Sequence, residues 1–155
     1  MFLRLIYAWY ERRLEAEVRR GAIPQHVGVL PDGNRRFARQ VGLKSIDDGH
    51  RTGADTIGRL IQWCDELRIP VVTFWVLSTD NFERPEEELR GIFALVEERI
   101  DELAEAQARS TFPRRIRSVG RRDLLPDETR EAIERVEAAT AHYASGELLI
   151  GVGYG

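Results

Sequence analysis

The chain has 155 residues, of which 43% are hydrophobic and 32% are charged, and its formal net charge is −3 at pH 7. This length suits a single domain over residues 1–155 and is too short for two ordinary domains. A net negative chain offers no broad basic surface for phosphate backbones, so we expect no nucleic acid partner. The single cysteine excludes an internal disulfide framework and is typical of a reducing compartment, which makes the cytoplasm the expected location.

The first twenty residues are rich in apolar and aromatic side chains, but charged residues interrupt every apolar run: Arg4, Glu11, Arg12 and Arg13. No run is long enough to span a bilayer. The apolar positions recur at helical spacing through Leu14 and Val18, which predicts an amphipathic helix over residues 1–20. We favour packing of its apolar stripe on the domain, because that is the commoner use of such a stripe. The alternative is contact with a membrane surface.

Four short runs of apolar and β-branched residues predict buried strands, at residues 27–30, 71–77, 116–119 and 148–152. Turn residues that begin at Pro31 close the first run, and Pro70 precedes the second. Helical periodicity begins at about Thr52 and again after Pro85, and Asp127 is expected to cap a further helix.

Two sets of side chains on these helices have structural roles in this interpretation. Cys64 lies on the apolar stripe of the helix that begins near Thr52, so we predict a buried packing thiol rather than a nucleophile. Glu86, Glu87 and Glu88 fall in the first turn after Pro85, where the helix dipole favours negative charge. We therefore interpret these three acids as capping residues.

The alternation of strands and helices predicts an α/β fold, with right-handed crossovers and a mostly parallel sheet covered by helices on both faces. In such sheets, ligands bind beyond the carboxyl ends of the strands. The segments that follow Leu30, Leu77 and Val152 are therefore the places where chemistry is expected. The first two of these segments are rich in polar groups.

The segment after the first strand has the composition of a phosphate site. It combines a carboxylate, a glycine, an amide and three guanidinium groups at the expected start of a helix: Asp32, Gly33, Asn34, Arg35, Arg36 and Arg39. Backbone N–H groups at a helix start attract anions, and arginine pairs with two phosphate oxygens at once. Asp32 suits Mg²⁺, which takes one or two carboxylates and completes its shell with phosphate oxygens. The alternative is a plain turn before a solvated basic helix start.

Two further segments add polar groups. Residues 49–53 are expected to open the next helix, where His50 either contacts a second phosphate or makes a local hydrogen bond. After the second strand, a cluster gathers hydroxyl, acidic, amide and guanidinium groups: Ser78, Thr79, Asp80, Asn81 and Arg84. The alternative for this cluster is a helix cap, although capping requires neither Phe82 nor Arg84.

In order and spacing, these segments resemble the signatures of the cis-prenyltransferases, the family that includes undecaprenyl diphosphate synthase. Four stretches carry the resemblance: residues 26–39, 49–53, 74–85 and 116–120. Residues 5–14 and 78–82 are most similar to archaeal members, which build carrier lipids from longer allylic primers. Phe37 stands where the family usually has tryptophan, and Lys44 stands near the place of an arginine that precedes the family's glycine–histidine pair.

The resemblance implies a role for each residue of the candidate site. Asp32 would be the Mg²⁺-binding and catalytic aspartate, and Asn81 would position or accept the proton lost at each condensation. Contacts with the substrate are implied for Gly33, Asn34, Arg35, Arg36, Phe37, His50 and Arg84. Phe82 would lie in an apolar product tunnel, and the substrate site would also be lined by Ser78, Thr79 and Asp80.

The implied activity is cis-prenyl chain elongation. Isopentenyl diphosphate would condense with an allylic diphosphate of the farnesyl or geranylgeranyl type, to give a Z-polyprenyl diphosphate for glycosyl carrier lipids. The resemblance also implies Mg²⁺, a homodimer in the full-length form and peripheral membrane contact during product release.

Family members continue beyond the position of Gly155 into a region that binds isopentenyl diphosphate and supplies a magnesium-binding glutamate. We therefore expect this chain to correspond to an N-terminal portion and to be inactive alone. The alternative function is that of a catalytically incomplete fragment or a non-catalytic partner subunit of a prenyltransferase.

Overall fold

The computed structural model describes residues 2–43 and 45–155, and within them strands and helices alternate as predicted. The helices are α1 (Phe2–Val18), α2 (Asn34–Val41), α3 (Ile46–Glu66), α4 (Glu86–Arg109) and α5 (Asp127–Thr140). The strands are β1 (His26–Val29), β2 (Val71–Ser78), β3 (Arg115–Val119) and β4 (Glu147–Tyr154). Short 3₁₀ turns occupy Thr79–Glu83 and Arg122–Leu124.

The four strands form one parallel sheet in the order β1-β2-β4-β3. The predicted α/β fold with a parallel sheet is therefore confirmed. Each predicted strand matches an observed one to within two residues at either end.

Two helix starts differ from the prediction. α3 begins a turn before residues 49–53, because Ser45 and Asp48 form a reciprocal capping box. The Asp48 N–H donates to Ser45 Oγ (3.1 Å), and the Ser45 N–H donates to Asp48 Oδ2 (3.2 Å). At α5, Pro126 is the capping residue and Asp127 is the first helical residue, so the predicted cap is displaced by one position.

The helices also cover the sheet differently from the expectation. α5 lies beside α4, and the Thr129 hydroxyl donates to Glu97 Oε1 across their contact (2.5 Å). On β3, Ile116 points toward these helices and is buried, whereas Arg117 and Val119 point to the opposite face and are exposed. The described helices α3, α4 and α5 therefore cover one face of the sheet, and the expectation of helices on both faces is wrong for this part of the chain.

Side chains of α5 accept hydrogen bonds from the unpaired edge of β3, which holds the helix against this strand. The backbone N–H of Ile116 donates to Thr140 Oγ1 (3.0 Å), and that of Ser118 donates to Glu137 Oε1 (2.6 Å). These bonds satisfy edge donors that would otherwise be open to pairing with another strand.

One hydrophobic core lies between the sheet and these helices, and four of the residues predicted for the stripes of α3 and α4 are buried in it: Ile61, Cys64, Ile92 and Ile100. Cys64 is 4% exposed. Burial raises the pKa of its thiol, which keeps it in the unreactive protonated form. The predicted packing thiol is confirmed.

α1 forms a helix as predicted, but its apolar stripe does not pack on the domain. Leu5 is 66% exposed, Trp9 is 61% exposed and Leu14 is 41% exposed. The helix-covered face of the sheet is filled by α3, α4 and α5, and the stripe is left largely exposed. The packing expectation is therefore wrong for this part of the chain. None of the described helices combines the length and the apolar character needed to cross a membrane.

A buried arginine ties together the amino end of the sheet, opposite the edge where ligands are expected. Arg114 is 0% exposed, pairs with the Asp65 carboxylate and donates from Nη2 to the carbonyl oxygen of Ile69 (2.7 Å). Its backbone N–H donates to Gln107 Oε1 (2.8 Å). Burial lowers the pKa of Arg114. Burial thus disfavours the charged form, and the hydrogen-bond partners of the guanidinium stabilise it. These partners join the ends of α3 and α4 to the starts of β2 and β3.

Asp65→Ala should destabilise the fold strongly, because it leaves the Arg114 charge buried without its carboxylate. We expect a loss of about 3 kcal/mol in the free energy of unfolding, measured by urea denaturation. The control is Arg117→Ala, which breaks an exposed ion pair with Glu147 and should cost less than about 1 kcal/mol. Equal losses for the two variants would contradict the structural role of Arg114.

Candidate active site

β1 and β2 are parallel neighbours with Val29 opposite Phe74, so both strands end toward the same edge of the sheet, and β2 continues past β1 to Ser78. The loop after β1 and the turn Thr79–Glu83 after β2 leave the sheet at this edge. The end of β4 lies here as well, since the Thr79 hydroxyl donates to the carbonyl oxygen of Gly155 (3.3 Å). This is the edge at which parallel sheets bind ligands.

α2 begins at this edge with its backbone donors available. Gly33 precedes the helix at a φ of 90°, a left-handed conformation that glycine adopts without strain. The Gly33 N–H donates to Asp32 Oδ1 (2.6 Å), and no side chain in the described part of the chain caps the helix. The first N–H groups of α2, with Arg35 and Arg36 beside them, therefore form an end suited to an anion.

Asp32 presents an accessible carboxylate. Its side chain is 82% exposed, and its Oδ2 lies 3.7 Å from Arg36 Nη2, a long contact for an ion pair. Within residues 2–43 and 45–155, no group of three or more His, Cys, Asp or Glu side chains could hold a metal ion. A cation bound here would therefore have one protein carboxylate and would take its remaining ligands from phosphate oxygens and water, which is the pattern that suits Mg²⁺.

Glu88 holds two of the predicted phosphate-binding arginines. Its Oε1 lies 3.1 Å from Arg84 Nη1 and 3.5 Å from Arg35 Nε, and its own side chain is only 11% exposed. α4 is preceded by Pro85 and has no capping bond from a side chain among the described residues. Glu88 lies in the first turn of α4 as predicted, but its carboxylate turns toward the two arginines, a contact that the sequence did not reveal.

The turn after β2 places Asn81 on the cavity wall and the Phe82 ring against α4. Asn81 Oδ1 accepts a hydrogen bond from the backbone N–H of Ser78 (3.3 Å), which fixes the amide at the end of the strand. The Phe82 ring packs against Phe93 of α4, with ring centroids 6.2 Å apart, and is not among the residues that line the cavity described below. The 3₁₀ turn directs the ring toward α4, and the tunnel position of Phe82 remains a prediction.

The two glycines of residues 49–53 allow α3 to lie directly against α2. A Cβ on Gly49 would fall 2.6 Å from the carbonyl oxygen of Asn34, and a Cβ on Gly53 would fall 2.6 Å from Asn34 Oδ1. Gly49 is therefore needed for close packing against the Asn34 backbone, whereas the Asn34 side chain could move away from a Cβ at Gly53. The sequence did not reveal this role of Gly49. Between the two glycines, His50 is half-buried and lines the cavity.

The site opens into a cavity of about 760 Å³ between α3 and α4. Eight of the predicted site residues line it: Asp32, Gly33, Asn34, Arg35, Arg36, His50, Asn81 and Arg84. The deeper walls are mostly apolar and come from α3, α4, β2 and β4, with Ile57, Phe74, Val96, Leu103 and Ile150 among them. The structure thus joins a cationic mouth to an apolar interior.

Some predicted residues lie elsewhere, and some lining residues were missed. Phe37 is 42% exposed on α2, and the other predicted residues outside the cavity wall are Ser78, Thr79 and Asp80. Their substrate contacts remain predictions. Lys44, expected near the place of a family arginine, lies outside the described residues. Arg39, which belongs to the predicted guanidinium cluster, also lines the cavity, and Arg99 of α4 is a lining residue that the sequence did not reveal.

Comparison with known proteins agrees with this geometry. The model of the undecaprenyl diphosphate synthase family matches residues 30–155. A relative from Methanopyrus kandleri, named tritrans,polycis-undecaprenyl-diphosphate synthase (geranylgeranyl-diphosphate specific), is 45% identical over 153 residues, which are 99% of this chain and 56% of the relative. The (2Z,6E)-farnesyl diphosphate synthase of Thermobifida fusca is 42% identical over 150 residues, which are 97% of this chain and 57% of that enzyme.

A solved structure is similar as well. The crystal structure of lavandulyl diphosphate synthase from Lavandula x intermedia, in complex with dimethylallyl diphosphate, matches with a TM-score of 0.81 and 26% sequence identity. The match covers 85% of this chain and 56% of that chain. This chain therefore spans a little more than half the length of the relatives that it matches.

Gly49→Ala should destabilise the fold, because the new Cβ would meet the Asn34 carbonyl oxygen at 2.6 Å and the Ala38 Cβ at 2.9 Å. We expect a loss of about 1–3 kcal/mol, seen as a lower midpoint of thermal unfolding. Gly58→Ala on the same helix is the matched control, since a Cβ there has no neighbour within 4 Å in the described residues. It should leave stability unchanged or raise it by up to about 1 kcal/mol. A Gly49→Ala variant as stable as the control would refute the packing role.

Proposed function

Since this chain belongs to the undecaprenyl diphosphate synthase family, we propose that it acts in cis-prenyl chain elongation, in which isopentenyl diphosphate condenses with an allylic diphosphate of the farnesyl or geranylgeranyl type. The observation that carries this proposal is the continuity of the cavity. Its mouth holds Asp32, Arg35 and Arg84, and it leads directly into an apolar space between α3 and α4. An allylic diphosphate has the same two parts, an anionic head and a hydrocarbon tail.

The diphosphate head would lie at the start of α2. The free backbone N–H groups there favour an anion, and the guanidinium groups of Arg35 and Arg84 can each pair with two oxygens. Glu88 keeps both arginines at the cavity mouth before the substrate binds. His50 is proposed as a further contact with the same head, because it lines the same cavity. These cations would stabilise the negative charge that grows on the departing diphosphate.

We propose Mg²⁺ as the metal and Asp32 as its protein ligand. The family in general acts with a divalent metal. When bound, Mg²⁺ would neutralise diphosphate oxygens and make the diphosphate a better leaving group. Asp32 fits this role because its carboxylate is exposed and leaves most of a coordination shell free for phosphate oxygens and water.

Each condensation forms one carbon–carbon bond, breaks the allylic carbon–oxygen bond, releases diphosphate and loses one proton. Asn81 is proposed to position the carbon that loses this proton, because the amide lines the cavity and is fixed by its bond to Ser78. A neutral amide is a poor base. The final acceptor is therefore proposed to be an oxygen of the diphosphate or the Asp32 carboxylate.

The hydrocarbon tail would extend between α3 and α4. Apolar side chains such as Ile57, Val96 and Leu103 form the walls there, so a bound tail would displace water from the cavity. Exclusion of water also protects the cationic character of the allylic carbon. The product is proposed to be a Z-polyprenyl diphosphate for glycosyl carrier lipids.

We further propose a cytoplasmic protein that contacts membranes peripherally through α1. Trp9 and Tyr10 are 61% and 52% exposed on this helix, and Arg12 and Arg13 follow them, a combination that favours the membrane interface. A homodimer is the proposed assembly. The sheet face that the described helices leave open is a surface available for it.

Asp32→Asn should weaken metal-dependent binding of an allylic diphosphate and abolish its turnover, since it removes the proposed metal ligand. We expect at least about a tenfold loss of affinity for geranylgeranyl diphosphate in Mg²⁺, measured by calorimetry. Incorporation of radiolabelled isopentenyl diphosphate by a longer form of the protein should fall by at least about a hundredfold, whereas this chain is expected to be inactive alone.

Asp101→Asn is the control, because Asp101 is an exposed acid that pairs with Arg135 on the outer side of α4. Unchanged binding and turnover in the Asp32 variant would contradict the proposed metal site. If the allylic diphosphate binds but neither this chain nor the longer form turns it over, the result would instead support a non-catalytic partner subunit.

A further inference from the structure

Glu88 is an enclosed negative charge beside the cavity mouth. Its side chain is 11% exposed, whereas the side chains of Arg84 and Arg35 are 24% and 46% exposed. A single oxygen, Glu88 Oε1, meets both guanidinium groups, at 3.1 Å from Arg84 Nη1 and 3.5 Å from Arg35 Nε. Both ion pairs that the structure gives Glu88 are therefore with arginines of the proposed diphosphate site.

Glu88 meets these arginines from outside the cavity. Among the described residues, the cavity wall includes Arg35 and Arg84 but not Glu88. A ligand at the mouth can therefore contact the two guanidinium groups, but it cannot offer the carboxylate a new partner. Whatever the ligand gains from the arginines is gained in the presence of this negative charge.

The position of Glu88 differs from that of Asp32, the other acid at the mouth. The Asp32 side chain is 82% exposed, and its Oδ2 lies 3.7 Å from Arg36 Nη2. Water and salt screen a charge in such a place. The Glu88 carboxylate has little contact with water, so its interactions with nearby charges are stronger.

This enclosed charge opposes a diphosphate in either of two arrangements. If Arg35 and Arg84 turn fully toward the ligand, Glu88 is left enclosed without its partners, which is unfavourable. If the arginines keep their contacts with Glu88, its charge repels the anion that they hold. In the empty site the same charge has the opposite effect, because it reduces the repulsion between the two guanidinium groups.

We propose that Glu88 is a competing counter-ion, which stabilises the empty site and lowers its affinity for diphosphate. This inference rests on the proposed function, because it assumes that a diphosphate binds Arg35 and Arg84. Every condensation frees one diphosphate, and that product must leave before the next cycle. The return of both arginines to Glu88 favours its departure. Glu88 acts through the arginines and is a positioning residue.

The test is Glu88→Gln, which keeps the shape of the side chain and the oxygen that accepts from Arg84 but removes the charge. Binding of inorganic diphosphate to this chain, measured by calorimetry with Mg²⁺, should tighten by at least about fivefold. The midpoint of thermal unfolding without ligand should fall by about 2–4 °C, because the arginines repel each other. The variant should fold, since both arginines can reach water.

These opposite changes distinguish a counter-ion from a residue that only supports the structure, whose loss would lower both the stability and the affinity. Glu86→Gln is the matched control. It removes the same charge from the same turn of α4, but the Glu86 side chain is 86% exposed and lies 4.0 Å from Arg90. It should change the affinity by less than about twofold.

A double-mutant cycle tests whether Glu88 acts through Arg84. In the Arg84→Gln background, Glu88→Gln should tighten binding less than it does in the unaltered chain, because one of its two partners is already absent. An equal gain in both backgrounds would overturn the proposed route through Arg84.

The inference is also overturned if Glu88→Gln binds inorganic diphosphate as the unaltered chain does or more weakly, or if Glu86→Gln tightens binding equally. A different result would fall on the proposed function itself. If neither inorganic diphosphate nor geranylgeranyl diphosphate binds the unaltered chain or Glu88→Gln, the cavity mouth is not a diphosphate site, and the inference fails with it.

Discussion

The parallel pairing of β1 with β2 is the constraint on which the rest of the site depends. Neither the loop after β1 nor the turn after β2 holds a complete set of groups for an allylic diphosphate. Because the two strands run side by side in the same direction, Asp32 and Asn81 come to one edge of the sheet and line one cavity. The same pairing directs α3 and α4 back across one face of the sheet, and the space left between these helices is the apolar interior.

Two short-range features then fix the groups at the mouth. Gly49 and Gly53 let α3 approach Asn34 closely, which sets the position of the first turn of α2. Glu88 neutralises part of the repulsion between Arg35 and Arg84, so two cations can stay close together before an anion arrives. A diphosphate can then take the place of the carboxylate as their partner. The site is therefore organised by packing on one side and by electrostatics on the other.

The alternation of strands and helices was predictable because buried strands and amphipathic helices leave a clear pattern of apolar residues. The residues at the ends of β1 and β2 were predictable because a parallel sheet binds ligands at that edge, and seven of them line the cavity. Contacts between distant segments were not predictable. The bond of Glu88 to Arg35, the packing of Gly49 on Asn34 and the turn of Phe82 toward α4 all depend on tertiary geometry. The exposure of α1 was not predictable for the same reason, because an apolar stripe in the sequence does not show which surface the helix packs against.

The central claim is that one cavity holds both the head and the tail of an allylic diphosphate. The most direct measurement is a crystal structure of this chain with Mg²⁺ and a non-hydrolysable geranylgeranyl thiodiphosphate. The account predicts diphosphate oxygens against the start of α2, within hydrogen-bonding distance of Arg35 and Arg84, a metal ion bound by Asp32, and the tail between α3 and α4. A head group bound elsewhere, or a tail outside the space between these two helices, would contradict it.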